Sequence, residues 1–204
     1  MYGSTHHSKP VDEQTSPNPV SPYGRSKLFA EKIIEDFSSA YGLSTLSLRY
    51  FNVAGNSRIS AYDLSPHNLF PNLYKSICNS ELFYIYGNEY NTPDGSCIRD
   101  YVDVRLLSGA HVKSLKKMLA GEALPKALNL GSGKGFSVLE IVETARRVIS
   151  DNLTYYIADP RDGDPAAILA DVTMAQELIN WDHSSNLEEI LISGYEAWLR
   201  SHEN

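Results

Sequence analysis

Between Ser21 and Gly42 the chain reads SPYGRSKLFAEKIIEDFSSAYG, and LSTLSLRYFNVAG follows directly. Ser21 is a good N-cap, Pro22 suits the first helical position, and apolar residues recur at helical spacing up to Gly42, which predicts one long helix. Its apolar positions Leu28, Ile33 or Ile34, Phe37 and Tyr41 are expected to face a core. Behind it Leu46, Leu48 and Tyr50 alternate as in a strand, ahead of a Gly-Asn-Ser loop. A helix running straight into a strand predicts a parallel α/β sheet.

The rest of the chain repeats that grammar. Strands are expected at LFYIYG, ALNLG and LTYYIA, and a helix from about Val104 to Leu119, closed by Gly121. Ser137 to Glu140, SVLE, reads as a capping box that opens a helix to about Ile149. Two C-terminal helices complete the pass, the last opening at Ser185 with Glu188 three residues later. With 204 residues, 42% of them hydrophobic, the chain can bury a substantial core.

A net charge of −7 argues against a general binder of nucleic acid or membrane surfaces, so an anionic ligand must meet locally placed arginines. Cys78 and Cys97 lack metal-ligand spacing, and there is no signal peptide or long apolar run. A reducing cytoplasmic compartment is the expectation. The histidines form no ligand spacing either, with His6-His7 placed in a polar loop.

Tyr23 and Lys27 stand four apart, on one face of the first helix. An ammonium one turn away favours phenolate over phenol, which makes a usable acid/base group. Alone, however, Tyr-x-x-x-Lys also fits an ordinary solvated helical face. The other charged motifs are as open: RDGD reads as a charged turn, Arg99-Asp100 as an internal ion pair, and Phe51 as a core aromatic. GSGKGFS, Gly131 to Ser137, follows a strand and opens a helix, but its spacing fits neither a P-loop nor the dinucleotide fingerprint. It reads as a structural turn.

SPYGRSKLFAEKII, LRYFNVAG, TPDGSCIRDYVDV, NLGSGKGFSVLEIV and PRDGDPA occur in the order and approximate spacing of one family. Together they resemble the extended short-chain dehydrogenase/reductases, and among these most the UDP-glucose 4-epimerases. The resemblance implies an NAD-dependent isomerase that interconverts UDP-galactose and UDP-glucose through a 4-keto sugar. It implies that Tyr23 removes the C4 hydroxyl proton and that Lys27 binds the nicotinamide ribose, with Phe51 beside the cofactor. For the substrate it implies Asn52 and Arg99 and Arg161 at the diphosphate, Asp164 at the ribose, Asn68 and Leu69 ahead of a helix, and Tyr84, Ile85 and Tyr86 flanking uracil. Ile168 stands at the position that gates N-acetylated sugars, where a branched side chain favours UDP-glucose and UDP-galactose. A homodimer is implied for the full-length protein.

The departures shape the expected fold. Nothing in the chain supplies the glycine-rich turn of a dinucleotide-binding half, and Met1-Tyr2-Gly3 matches only the tail of the strand that carries the family's Ser/Thr. The expectation is the C-terminal part of an NAD(P)-binding Rossmann-type fold with a smaller α/β substrate-binding domain, its N-terminal dinucleotide-binding half missing. Residues 1–55 would be the Rossmann-type remnant and 56–204 mainly the substrate domain, with some segments returning to the first sheet. Such a fragment is expected neither to hold NAD tightly nor to epimerise by itself. RDYVDV also has Asp103 where the family usually shows histidine. Two alternatives stand beside the epimerase reading: another nucleotide-sugar epimerase or dehydratase, and a non-catalytic nucleotide-sugar-binding module.

Overall fold

The structure, a computed structural model, describes residues 1–3, 9–57, 63 and 65–202; the His6-His7 pair lies outside them. In chain order the elements are α1 (Pro22–Tyr41), β1 (Ser47–Tyr50), β2 (Asn52–Ala54), α2 (Leu69–Asn79), β3 (Phe83–Tyr86), β4 (Ile98–Arg99), β5 (Tyr101–Asp103) and α3 (Val104–Leu119). They continue with β6 (Ala127–Leu130), β7 (Phe136–Ser137), α4 (Val138–Val148), β8 (Tyr155–Ala158), β9 (Ala167–Ile168), α5 (Thr173–Ile179) and α6 (Leu187–His202). Among the described residues, strand pairs β1–β6, β2–β5, β3–β8 and β4–β9 are parallel and β4–β7 is antiparallel. The α/β class expected from helix-strand alternation is the one observed.

Local capping chemistry sets several boundaries. The Ser21 hydroxyl accepts from the Gly24 amide at 3.1 Å, and Gly42 closes α1 in the left-handed region at φ 66°. In α4, Ser137 and Glu140 form the reciprocal capping box. The last helix differs from expectation. Asn186, not Ser185, caps it, its Oδ1 accepting from the amides of Glu188 and Glu189 at 3.0 and 3.4 Å. Ser185 is engaged elsewhere, because its hydroxyl accepts from the Asp103 amide at 3.3 Å.

The strand after α1 is in fact two. β1 pairs with β6, the Phe51 amide donates to Leu130 O at 3.1 Å, and the next amide, Asn52, turns to Asp100 O at 2.8 Å, after which β2 pairs with β5. The partner strands change over in the same way, since β4 and β5 are separated by Asp100 alone. Asp100 is 1% exposed, and its carboxylate accepts from Ser132 N, Ser132 Oγ, Gly133 N and Ala170 N at 2.5 to 2.9 Å. This explains the glycine-rich turn after β6. Two of its amides, Ser132 and Gly133, are bound to an internal carboxylate, two more, Lys134 and Gly135, to the Ser132 hydroxyl, and a Cβ on Gly131 would come within 2.6 Å of Ala170 Cβ and Asp100 Oδ2.

Apolar burial falls into two clusters. One gathers Leu73, Ile85, Ile141, Val142, Ile190 and Leu191, with Phe70 and Phe83. The other gathers Val102, Leu107, Leu128, Leu130, Ala175 and Ile179, with Leu46, Leu48 and Phe51 packed against it. The expected inward face of α1 is a correction: Ile33, Ile34, Phe37 and Tyr41 are exposed, as is Phe29, and Leu28 is only half-buried. The buried residues of α1 are Gly24 and Glu31. The Glu31 carboxylate meets Arg49 of β1 at 2.9 Å, and Arg49 also donates to the Tyr2 hydroxyl at 2.7 Å. A polar tie of this kind fixes which side of the helix faces inward, and leaves the apolar stripe outside.

Candidate functional site

A cavity of about 1320 Å³ is bordered by parts of α1, β2, α2, β3, β4 and β5 and by the turn at Arg161 to Asp164. Ligand cavities are commonly about 300–1,000 Å³, so this one has room for an extended molecule. Tyr23, in the first turn of α1, forms part of the wall and is 72% exposed. The Lys27 Nζ lies 5.3 Å from the centre of its ring. Phe51, half-buried at the change-over between β1 and β2, and the exposed Asn52 border the same space. Tyr23 and Phe51 thus present two rings to the cavity, whereas Lys27 does not itself border it.

The anion-binding candidates converge on the cavity from separate segments. Arg99 is largely buried and donates through Nη1 to Ile98 O and Pro165 O, both at 2.8 Å. Its Nη2 meets Asp164 Oδ1 at 3.0 Å, so the ion pair of this arginine is with Asp164 and not with its neighbour Asp100. Arg161 is exposed, and its guanidinium carbon sits 3.9 Å from the centre of the Tyr86 ring, a close cation–π contact. Asn68 precedes α2 and donates to Asp63 at 2.6 Å, and Leu69 opens the helix; both border the cavity.

Strand alternation sorts the remaining candidates. Tyr84 and Tyr86 project outward and line the wall, whereas Ile85 points into the core and is 2% exposed. Ile85 therefore has only its main chain to offer a ligand. Ile168 stands in register with Arg99 in the β4–β9 ladder but does not border the cavity. The crowding assigned to it from the sequence has no geometric support here.

Other wall residues were not singled out in the sequence. Cys97 and Tyr101 border the cavity with Arg99, at every second position through CIRDY, and that spacing of two was the readable signal. Burial pushes the Cys97 thiol and the Tyr101 hydroxyl above their ordinary ranges, so both are held neutral. Asn68 at the cap of α2, with Asn72 and Lys75 on the helix, follow helical spacing along the wall. Asp103 and Arg105 lie at the start of α3 instead. The Asp103 carboxylate accepts from Arg105 N at 2.8 Å and from its guanidinium, which also meets Glu189 at 3.0 Å. Among the described residues no cluster of three or more His, Cys, Asp or Glu could hold a metal ion, and no helix is long and apolar enough to cross a membrane.

Known proteins share both sequence and fold. A family model described as GDP-mannose 4,6 dehydratase matches residues 1–193. The UDP-glucose 4-epimerase of Lactobacillus helveticus is 37% identical over 198 residues, 95% of this chain and 59% of that protein. The structure of UDP-glucose 4-epimerase from Stenotrophomonas maltophila, with bound NAD and formylated UDP-arabinopyranose, superposes with a TM-score of 0.89 at 29% identity, covering 100% of this chain and 62% of the other. The Brucella ovis enzyme in complex with NAD gives 0.87 at 34% identity, over 95% and 61%. The chain thus spans less than two thirds of the length of each of these relatives.

Proposed function

The chain belongs to the family described as GDP-mannose 4,6 dehydratase, with UDP-glucose 4-epimerases among its relatives, and on that footing we propose that its cavity binds a UDP-hexose and supplies the substrate and acid/base part of a site that, joined to a dinucleotide-binding half with NAD, interconverts UDP-galactose and UDP-glucose. The observation that carries this reading is a convergence. Tyr23 on α1, the Arg99–Asp164 pair and the Arg161–Tyr86 couple come from distant parts of the sequence and border one cavity.

Tyr23 is the proton acceptor: its phenolate oxygen takes the proton of the sugar C4 hydroxyl and gives it back when the hydroxyl is re-formed. Lys27, one turn away with its Nζ 5.3 Å from the centre of the Tyr23 ring, offsets the negative charge on that oxygen and is assigned the ribose of the cofactor, and Phe51, which borders the cavity, the cofactor ring. NAD, when bound, would supply the hydride acceptor for C4 and the hydride for its opposite face. Between the two transfers the 4-keto sugar turns over inside a cavity of about 1320 Å³, without leaving it. Arg161 and Arg99 hold the diphosphate, whose oxygens match guanidinium forks. As Arg99 turns toward phosphate, Asp164 accepts from a ribose hydroxyl in exchange.

Replacing Arg161 with alanine is expected to weaken UDP about ten- to a hundredfold, the range for one charge-assisted contact to phosphate. Arg161 is exposed, so the variant should fold, and calorimetric titration with UDP reads the effect. Unchanged affinity would remove this arginine from the site. The exposed stripe of Phe29, Ile33, Phe37 and Tyr41, spaced by four along α1, supports pairing with a second copy of the chain. Sedimentation of the wild type and of Phe37→Asp checks this, with the variant expected as monomer; a wild type that is monomeric at all concentrations rejects it.

A further inference from the structure

The residues of α1 that are buried or half-buried are Gly24, Leu28, Glu31, Glu35 and Ser38, spaced four and three apart, and Leu28 alone among them is a large apolar side chain. Gly24 seats the first turn, since a Cβ there would come within 2.9 Å of Pro19 Cβ, and it adjoins Tyr23 in sequence. Two turns on, Glu31 is 4% exposed, and its Oε1 accepts from Arg49 Nε and Nη2 at 3.0 and 2.9 Å. The remaining guanidinium nitrogen, Nη1, donates to the Tyr2 hydroxyl at 2.7 Å, and that hydroxyl donates to Asn129 Oδ1 of β6 at 2.6 Å. The Tyr2 ring is buried and lies 6.3 Å, centre to centre, from Phe51, which stands two residues beyond Arg49 and so on the same side of the strand. Arg49 thus holds, by separate N–H groups, the helix that carries Tyr23 and the ring that packs beside Phe51.

We propose that Arg49 is a positioning residue for the reaction: its guanidinium clamps α1 through Glu31 and the Tyr2 ring through its hydroxyl, and so fixes how Tyr23 and Phe51 stand to one another at their corner of the cavity. The inference rests on the proton-transfer role given to Tyr23 above, and adds which buried group sets its place. Arg49, Glu31 and Tyr2 do not border the cavity. Apolar packing is non-directional and here comes from one leucine, whereas three N–H bonds from one planar fork have a fixed geometry. A lysine ammonium, a point charge on a flexible stem, cannot hold both partners in that geometry. Displacing a reacting group by about 1 Å costs about a hundredfold in rate, so a clamp roughly 12 Å along the helix from Tyr23 acts on the chemistry without touching the ligand.

The test removes both charges together, because Arg49→Met alone would leave the Glu31 carboxylate buried without its cation. The double variant Glu31→Leu/Arg49→Met fills the same space, and is expected to fold and to bind UDP within about twofold of wild type, read by calorimetric titration of the 204-residue chain. In a full-length protein that contains this chain, supplied with NAD, its kcat for UDP-galactose should fall about ten- to a hundredfold with KM within about twofold. Arg49→Lys keeps the charge balance but not the Tyr2 bond, and its kcat should lie between those of the double variant and wild type. A second readout needs no turnover. Nitroxides on Asp36→Cys of α1 and on the exposed Cys78 of α2 report one distance in the 204-residue chain, Cys97 being buried, and pulsed electron resonance should show that distance broadened in the double variant. Wild-type kcat in the double variant, or a loss of UDP affinity that matches the loss of kcat, overturns the positioning role. An unbroadened distance overturns the clamp, and wild-type kcat in Arg49→Lys overturns its Tyr2 arm. Failure of the wild-type full-length protein to interconvert the sugars overturns the reaction proposed above and the catalytic part of this inference, and leaves the clamp to be decided by the distance.

Discussion

Asp100→Ala is expected to lower the unfolding free energy by about 3–5 kcal/mol, the loss that follows when a buried charged hydrogen-bonding centre is removed and its partners remain. The carboxylate is 1% exposed and accepts four hydrogen bonds, three from main-chain amides of Ser132, Gly133 and Ala170 and one from the Ser132 hydroxyl. Alanine leaves those donors enclosed without an acceptor. Asparagine keeps the shape but turns one acceptor into a donor facing an N–H, so Asp100→Asn should fall between alanine and wild type. Urea unfolding followed by circular dichroism reads all three proteins. A midpoint for Asp100→Ala indistinguishable from wild type would mean that the turn after β6 is held by something other than this side chain.

Tyr23→Phe should separate chemistry from binding. The phenyl ring stays in the cavity wall and beneath the Lys27 ammonium, so UDP affinity should stay within about twofold of wild type. Only the hydroxyl that carries the proton is gone. Interconversion of UDP-galactose and UDP-glucose, followed with NAD in a full-length protein that contains this chain, should fall by about 10²–10⁴. A variant that turns over at the wild-type rate would assign the proton transfer to another group. A variant that lost UDP binding in the same proportion would make Tyr23 a ligand-binding residue and no more.

What the sequence discloses is what local chemistry decides. Ser21 and Gly42 bound α1, and Ser137 with Glu140 opens α4, because each cap is formed within a few residues of its helix end. Long-range bonds are invisible at that scale. Ser185 has the spacing of a cap but its hydroxyl is drawn to the Asp103 amide, and Asn186 takes the role. Arg99 sits beside Asp100 in sequence, yet it pairs with Asp164, because the strand turns the Asp100 carboxylate toward Ser132 and Ala170. Periodicity likewise reports that a helix has an apolar side without saying what covers it, which is why Phe37 and Tyr41 were expected inside. For the cavity wall, the motifs carried Tyr23, Arg99 and Arg161, while Cys97 and Tyr101 needed only the two-residue period of the strand around Arg99.

The change-over at Phe51 has a consequence for editing the chain. In an unbroken strand Phe51 and Asn52 would point to opposite faces, yet both border the cavity, since the ladder passes from β6 to β5 between them. A junction of this kind has no slack. One residue inserted or deleted there reverses the facing of every side chain downstream in β2, so length is constrained at this point more tightly than side-chain identity. Loop grafts and domain fusions are better tolerated at exposed turns away from the cavity, such as the one around Gly121, where nothing lies within 4 Å of an added Cβ.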